Sequence, residues 1–168
     1  MTTRRLFFAL WPDQTLRQAL IQRRASLEAR FQKPVPDRNL HLTLLFLGNQ
    51  PAERLDEIEA AANAIRSPAF ELQLDRFGWF ERARVVWLGG AAPKAGCSLV
   101  KALEQGMRGL GLNFDRRPWG PHVTLFRKVS EGRNLPPVAA LTWPASEFAL
   151  IESIPSRPYQ VLRTWALD

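Results

Sequence analysis

At 168 residues, 46% of them hydrophobic, the chain has the length and composition of one ordinary domain with a sizeable core. Its 23 Lys+Arg outnumber 16 Asp+Glu for a formal charge of +7, and the basic residues are overwhelmingly arginine, whose planar fork suits phosphate oxygens, so an anionic partner is favoured. No apolar run approaches the roughly 18 residues of a membrane span, Leu6 to Trp11 is too short for a signal-peptide core, and the lone Cys97 excludes an internal disulfide or a cysteine-based zinc site. A cytoplasmic protein is expected, with Cys97 as a small packed side chain.

In chain order, Arg4 to Leu10 reads as an apolar first strand ended by Trp11-Pro12. Asp13 is suited to cap a helix that keeps Leu16, Leu20, Leu27 and Phe31 on one face and closes before Pro34. The linker Lys33 to Asn39 leads into a strand that Gly48 terminates. A second helix is expected from Pro51 to about Ile65, with Leu55, Ile58, Ala62 and Ile65 aligned. Phe70 to Phe77 and Arg84 to Leu88 then read as a hairpin turning near Glu81-Arg82. A helix over about Cys97 to Leu110 is stopped by Gly111. Another strand follows Pro118-Trp119-Gly120-Pro121. Ser130 to Pro144 reads as an exposed loop, and Glu147 to Glu152 and Tyr159 to Leu167 as the closing strands. Strands and helices mix without strict alternation, which gives α+β rather than a doubly wound sheet.

Both histidines of the chain fall in one repeated spelling, His41-Leu42-Thr43-Leu44 and His122-Val123-Thr124-Leu125. Period-two alternation puts His and Thr on one face of each strand, with Leu42, Leu44 and Phe46, or Val123 and Leu125, anchoring the other. A lone histidine beside a strand is more often structural than catalytic, but the repetition points to a duplicated lobe. Two such strands facing one cleft offer two imidazoles and two hydroxyls for proton transfer at a phosphate. Near neutral pH one imidazole can serve as base and the other as acid without a metal, and the hydroxyls of Thr43 and Thr124 can donate to the non-bridging oxygens.

At these residues the sequence resembles the two-histidine phosphoesterases, and among them the bacterial RNA 2′,3′-cyclic phosphodiesterases also called 2′-5′ RNA ligases. The matching segments are Arg5 to Leu10, Asn39 to Leu44 with Phe46-Leu47-Gly48, Arg84 to Gly89, Pro121 to Leu125 with Arg127, and Leu162 to Leu167. The resemblance implies residues 1–168 as a single domain of two pseudo-symmetric lobes, each a mainly antiparallel sheet backed by helices, with the active-site cleft between them. It implies His41 and His122 as catalytic residues, His122 the base toward water and His41 the acid toward the 3′ oxygen, with Thr43, Thr124 and Arg127 binding substrate. Strict alternation sends Arg127 to the wrong face, so a bulge is required near the end of its strand. No cofactor and no metal are expected, and the partner is an RNA with a 2′,3′-cyclic phosphate end, met by a monomer and hydrolysed to a 2′-phosphate, with 2′-5′ ligation as the reverse. The rivals are a phosphodiesterase of small cyclic nucleotides and a non-catalytic RNA-binding module; a metal hydrolase is poorly supported by two histidines. Arginine clusters at Arg23-Arg24, Arg116-Arg117 and Arg127-Lys128 lean toward RNA, and Phe8, Trp79 and Trp119 are candidate base-stacking residues.

Overall fold

The computed structural model describes residues 2–168. Among the described residues the nine strands and three α-helices are β1 (Thr3–Leu10), α1 (Gln14–Ala25), β2 (Leu42–Pro51), α2 (Leu55–Asn63), β3 (Phe70–Leu74), β4 (Arg76–Phe80), β5 (Val85–Gly89), α3 (Lys94–Gly109), β6 (His122–Phe126), β7 (Leu141–Ala145), β8 (Glu147–Ser153) and β9 (Gln160–Ala166). Seven strands form one antiparallel sheet in the order β4-β5-β6-β2-β1-β8-β9, and β3 pairs with β7 separately. The fold is α+β, as the mixture of patterns requires.

Alternation sorts the faces. Leu6, Phe8 and Leu10 of β1 and Phe148 and Leu150 of β8 join Leu20, Ile58 and Leu103 of the helices in one continuous core, while Phe7, Ala9, Ala149 and Ile151 form a separate apolar cluster with Trp11, Phe46 and Tyr159. Helices therefore back one face of the sheet, and aromatic rings cover part of the other.

Several local expectations change. Helix α1 starts under the Asp13 cap, whose carboxylate accepts from the Leu16 amide at 2.8 Å, but it ends at Ala25; Leu27 and Phe31 stay buried through the irregular turns that follow. Gly48 does not end its strand. It sits at φ +70 where Leu6 pairs with Gly48 and Phe7 with Phe46, so it permits a bulge inside β2. The expected strand from Phe70 breaks at Asp75, and only Arg76–Phe80 makes the hairpin with β5; β3 instead pairs with Leu141–Ala145, all but the last residue of which lies in the expected loop. Pro144 on this short edge pairing masked the strand in the sequence. Cys97 is exposed, not packed.

At the centre the two halves of the sheet meet through a single pair, Leu42 opposite Val123. Beyond it β2 and β6 diverge, and each wedge is filled by the segment preceding the opposite motif. Val35 donates to the Leu125 carbonyl (2.8 Å) and Arg127 to that of Lys33 (2.9 Å), so residues 33–35 run along β6. Asp115 donates to the Phe46 carbonyl, and the Trp119 indole to that of Thr43, both at 3.0 Å, so residues 115–119 run along β2. These exchanged segments satisfy strand edges that would otherwise be buried unpaired, and they lock the halves together at the motifs.

Candidate active site

The Leu42–Val123 pair fixes how the repeated motifs face each other. With both residues fully buried beneath the sheet, an antiparallel register puts His41 opposite Thr124 and Thr43 opposite His122 on the other face. The four expected side chains thus gather around a local twofold through that pair. All four are half-buried.

Each imidazole is oriented by the backbone two residues before it. His41 Nδ1 lies 2.7 Å from the Asn39 carbonyl and His122 Nδ1 2.7 Å from the Gly120 carbonyl. A carbonyl only accepts, so Nδ1 carries the proton and the basic Nε2 is left for the cleft in both copies. In the first copy Nε2 accepts from the Thr43 hydroxyl at 2.9 Å. Arg17 braces that loop by donating to the carbonyls of Asp37 (2.6 Å) and Leu40 (3.2 Å).

The bulge that Arg127 needs is present, and it occurs twice. In β6, Trp87 faces Thr124 but Val86 faces Phe126, which makes Leu125 an extra residue; in β2, Ala9 faces Thr43 but Phe8 faces Leu45, which makes Leu44 one. Leu44 and Leu45, like Leu125 and Phe126, consequently both turn into the core. Five residues past each histidine the chain returns to the cleft face. There the first copy presents Phe46, not a core residue as alternation suggests, and the second presents Arg127. Arg127 reaches the Tyr159 hydroxyl at 3.4 Å, and its charge acts on His41.

Aromatic rings differ between the two histidines. His41 is enclosed by Phe7 (ring centroids 4.8 Å), Tyr159 (5.3 Å) and Trp11, stacked at 5.9 Å. His122 has Phe80 at 5.2 Å and Trp87 at 6.0 Å, and with Thr43 and Thr124 it lines a cavity of about 880 Å³ that also takes in Phe46, Phe80, Arg82, Arg117 and Trp119. A smaller cavity of about 350 Å³ between the start of α1 and β7 contains no part of either motif.

Burial lowers the proton affinity of both rings. His41 falls from 6.5 to about 4, chiefly by desolvation, with Arg127, His122 and Arg17 pushing the same way and the Asn39 carbonyl opposing them. His122 is lowered by burial and by Arg117, against the Gly120 carbonyl. Both are neutral at pH 7 in the free protein.

Among the stacking candidates, Phe8 is fully buried against Phe148 and Trp165 and faces the core. Trp79 and Trp119 do line the cavity. Phe7, Trp11, Tyr159, Phe80 and Trp87 were missed; the only available signal was that Tyr159 is the single tyrosine and Trp11 ends the first strand. The Arg23-Arg24 pair is structural, since Arg24 is buried, donates to the Val35 carbonyl and pairs with Asp37, while Arg23 donates to the carbonyls of Ala139 and Ala140.

A sheet that brings two His-x-Thr strands to one cleft, each imidazole turned by its own backbone, defines a two-histidine phosphoesterase. The model of the LigT-like phosphoesterases matches residues 10–87. The RNA 2′,3′-cyclic phosphodiesterase of Escherichia coli is 38% identical over 97% of this chain and 96% of its own length, and that of Thermus thermophilus is 34% identical over 97% and 90%. E. coli LigT in complex with 3′-AMP superposes with a TM-score of 0.89 at 36% identity, covering 99% of both chains. The chain belongs to the LigT-like phosphoesterases.

Proposed function

We propose that this chain hydrolyses the terminal 2′,3′-cyclic phosphate of RNA to a 2′-phosphate, with His41 and His122 as acid and base. The observation that carries the reading is the Leu42–Val123 register, which brings the two His-x-Thr motifs together at the centre of one sheet, each imidazole with Nδ1 held by a backbone carbonyl and Nε2 left for substrate. In-line displacement needs that placement, because attacking and leaving oxygens stand on opposite sides of phosphorus. His122, on the open side, takes the proton from water; His41 gives one to the departing 3′ oxygen. The neutral His41 of the free protein gains its proton with the substrate, whose phosphate anion offsets the charges of Arg127 and Arg17 that oppose protonation. Thr43 then gives up its bond to Nε2, which is left free to face the 3′ oxygen, and turns its hydroxyl hydrogen to a non-bridging oxygen, with Thr124 and Arg127 on the others. The names of the relatives and the 3′-AMP bound by E. coli LigT support an RNA end as substrate. The reading includes one domain of two lobes, a cytoplasmic monomer, imidazoles rather than a metal as acid and base, and 2′-5′ ligation as the reverse step.

One observation favours a second assignment within this chemistry. A base is better served by a lowered proton affinity than an acid is, and His41 is lowered to about 4. Exchanged roles would leave a 3′-phosphate. The test offers the purified protein an RNA ending in a 2′,3′-cyclic phosphate, a 2′,3′-cyclic mononucleotide and a 3′,5′-cyclic one, with and without chelator, followed by end-group analysis. Chelator-resistant opening of the RNA end to a 2′-phosphate is expected. A 3′-phosphate product exchanges the histidines' roles, and loss of activity in chelator overturns the mechanism.

A further inference from the structure

Each imidazole is turned by a carbonyl two residues before it, but the two carbonyls are kept in place by different means. Before His122 the chain runs Pro118-Trp119-Gly120-Pro121, stiffened by its prolines, and the Gly90 amide donates to the Pro121 carbonyl at 3.3 Å. Before His41 the carbonyl belongs to Asn39, the last residue of the single 3₁₀ turn Asp37–Asn39. A turn of this kind has poor hydrogen-bond geometry of its own, and here the bond from the Leu40 amide to the Asp37 carbonyl is long, at 3.4 Å.

Arg17 supplies what that turn lacks. It projects from the start of α1, and one guanidinium nitrogen, Nη1, donates to carbonyls on either side of Asn39, those of Asp37 at 2.6 Å and Leu40 at 3.2 Å. The guanidinium carbon also lies 5.3 Å from the centre of the Trp11 ring, which stacks on His41 at 5.9 Å and 17°. Arg17 therefore reaches the imidazole by two routes, through the peptide that bonds Nδ1 and through the ring that covers its face. It does not line the cavity at the motifs. Its charge works against the protonated form of His41, so what it gives to proton transfer has to come through geometry.

We propose that Arg17 is a positioning residue for His41. By clamping the carbonyls on either side of Asn39 and holding Trp11, it keeps Nδ1 on the Asn39 carbonyl and leaves Nε2 for substrate. The inference rests on the proposed role of His41, and it holds for that residue as acid or as base, because Nδ1 keeps its proton in both. Arg24 ties the same turn independently, pairing with the Asp37 carboxylate and donating to the Val35 carbonyl, so the turn stays in the fold without Arg17.

The chain has only two histidines, which makes the test selective. Imidazole ¹⁵N NMR reads which ring nitrogen carries the proton, with His122 as internal reference, and both rings of the free wild type should show the Nδ1–H form. Arg17→Met keeps the aliphatic stem but removes donor and charge. It should move the His41 nitrogens toward the other tautomer and leave those of His122 unchanged. On a 2′,3′-cyclic mononucleotide it should lower kcat about tenfold, the scale of one charge-assisted hydrogen bond, with KM near wild type. Arg17→Gln, polar but too short to reach both carbonyls, should give the same result and serves if the methionine variant does not fold. Arg17→Lys, which retains a donor, should restore the wild-type nitrogen pattern and most of kcat. A folded methionine or glutamine variant that keeps the wild-type nitrogen pattern or kcat, or that loses only in KM, overturns the proposal. So does an equal change at both histidines, or a lysine variant no better than the neutral ones. A wild-type protein inactive on every cyclic phosphate overturns the proposed function instead, and the nitrogen pattern still decides whether Arg17 holds His41.

Discussion

The same four-letter pattern occupies two different environments. His41 is bonded at both ring nitrogens, enclosed by three aromatic rings and faced by Arg127 and Arg17; His122 is bonded at Nδ1 and stands beside an open cavity. Local sequence fixes how each imidazole is turned, through a carbonyl two residues back. Burial and charges brought from elsewhere in the chain set its proton affinity and what can reach it. A symmetric pair of motifs thereby holds two unequal imidazoles, and the equivalent positions that follow the motifs carry Phe46 on one side and Arg127 on the other.

The sharpest way to break this contrast is to remove each histidine. His41→Ala and His122→Ala should each lower turnover by about 10² or more, because each is asked for a full proton-transfer factor despite the difference in surroundings. The double variant should lose less than the product of the two. Near-normal turnover in either folded single variant would show that its motif is structural.

Acid sensitivity reads the enclosed side alone. A histidine whose folded value lies below its unfolded 6.5 binds fewer protons when native, so its neutral form favours folding at high pH and that contribution is lost as pH falls from about 6.5 toward 4. For His41 the loss is about 3 kcal/mol at roughly 1.4 kcal/mol per unit. Denaturant titrations across this range should show the wild type losing that much more stability than His41→Gln; parallel curves would mean that His41 is not desolvated.

Arg127→Ala should cost about tenfold in kcat/KM, the scale of one charge-assisted hydrogen bond. It should also raise the His41 proton affinity, since a like charge is removed, which an imidazole NMR titration can follow. Phe46→Ala, at the equivalent position, should leave that titration near its wild-type course. Equal shifts in the two variants would dissolve the asymmetry.

The smallest expected effect is at the seam. Trp119→Phe keeps an aromatic ring against Gly96 but removes the donor to the Thr43 carbonyl, and should cost about 1 kcal/mol of stability by chemical denaturation. No loss would mean that the exchanged segment is held by its backbone bonds alone.

Much of this was written locally. Alternation in Leu6 to Leu10 and around each His-x-Thr determined the strands and their two faces, Asp13 determined where the first helix begins, and Gly111, at φ +71, where the third ends. The repeat determined the four residues that meet at the cleft. The pairing of β3 with β7, the exchange of segments 33–35 and 115–119 between motif strands, and the bulges that return Phe46 and Arg127 to the cleft were decided only by tertiary structure. The reason is physical: alternation records which face a side chain takes while the period of two holds, but an extra residue in a ladder and the partner of a strand edge depend on backbone hydrogen bonds, which every residue but proline can make alike. For the same reason Phe8 and Phe7, adjacent and identical in type, were separable only once the sheet had one face against the helices and the other against His41.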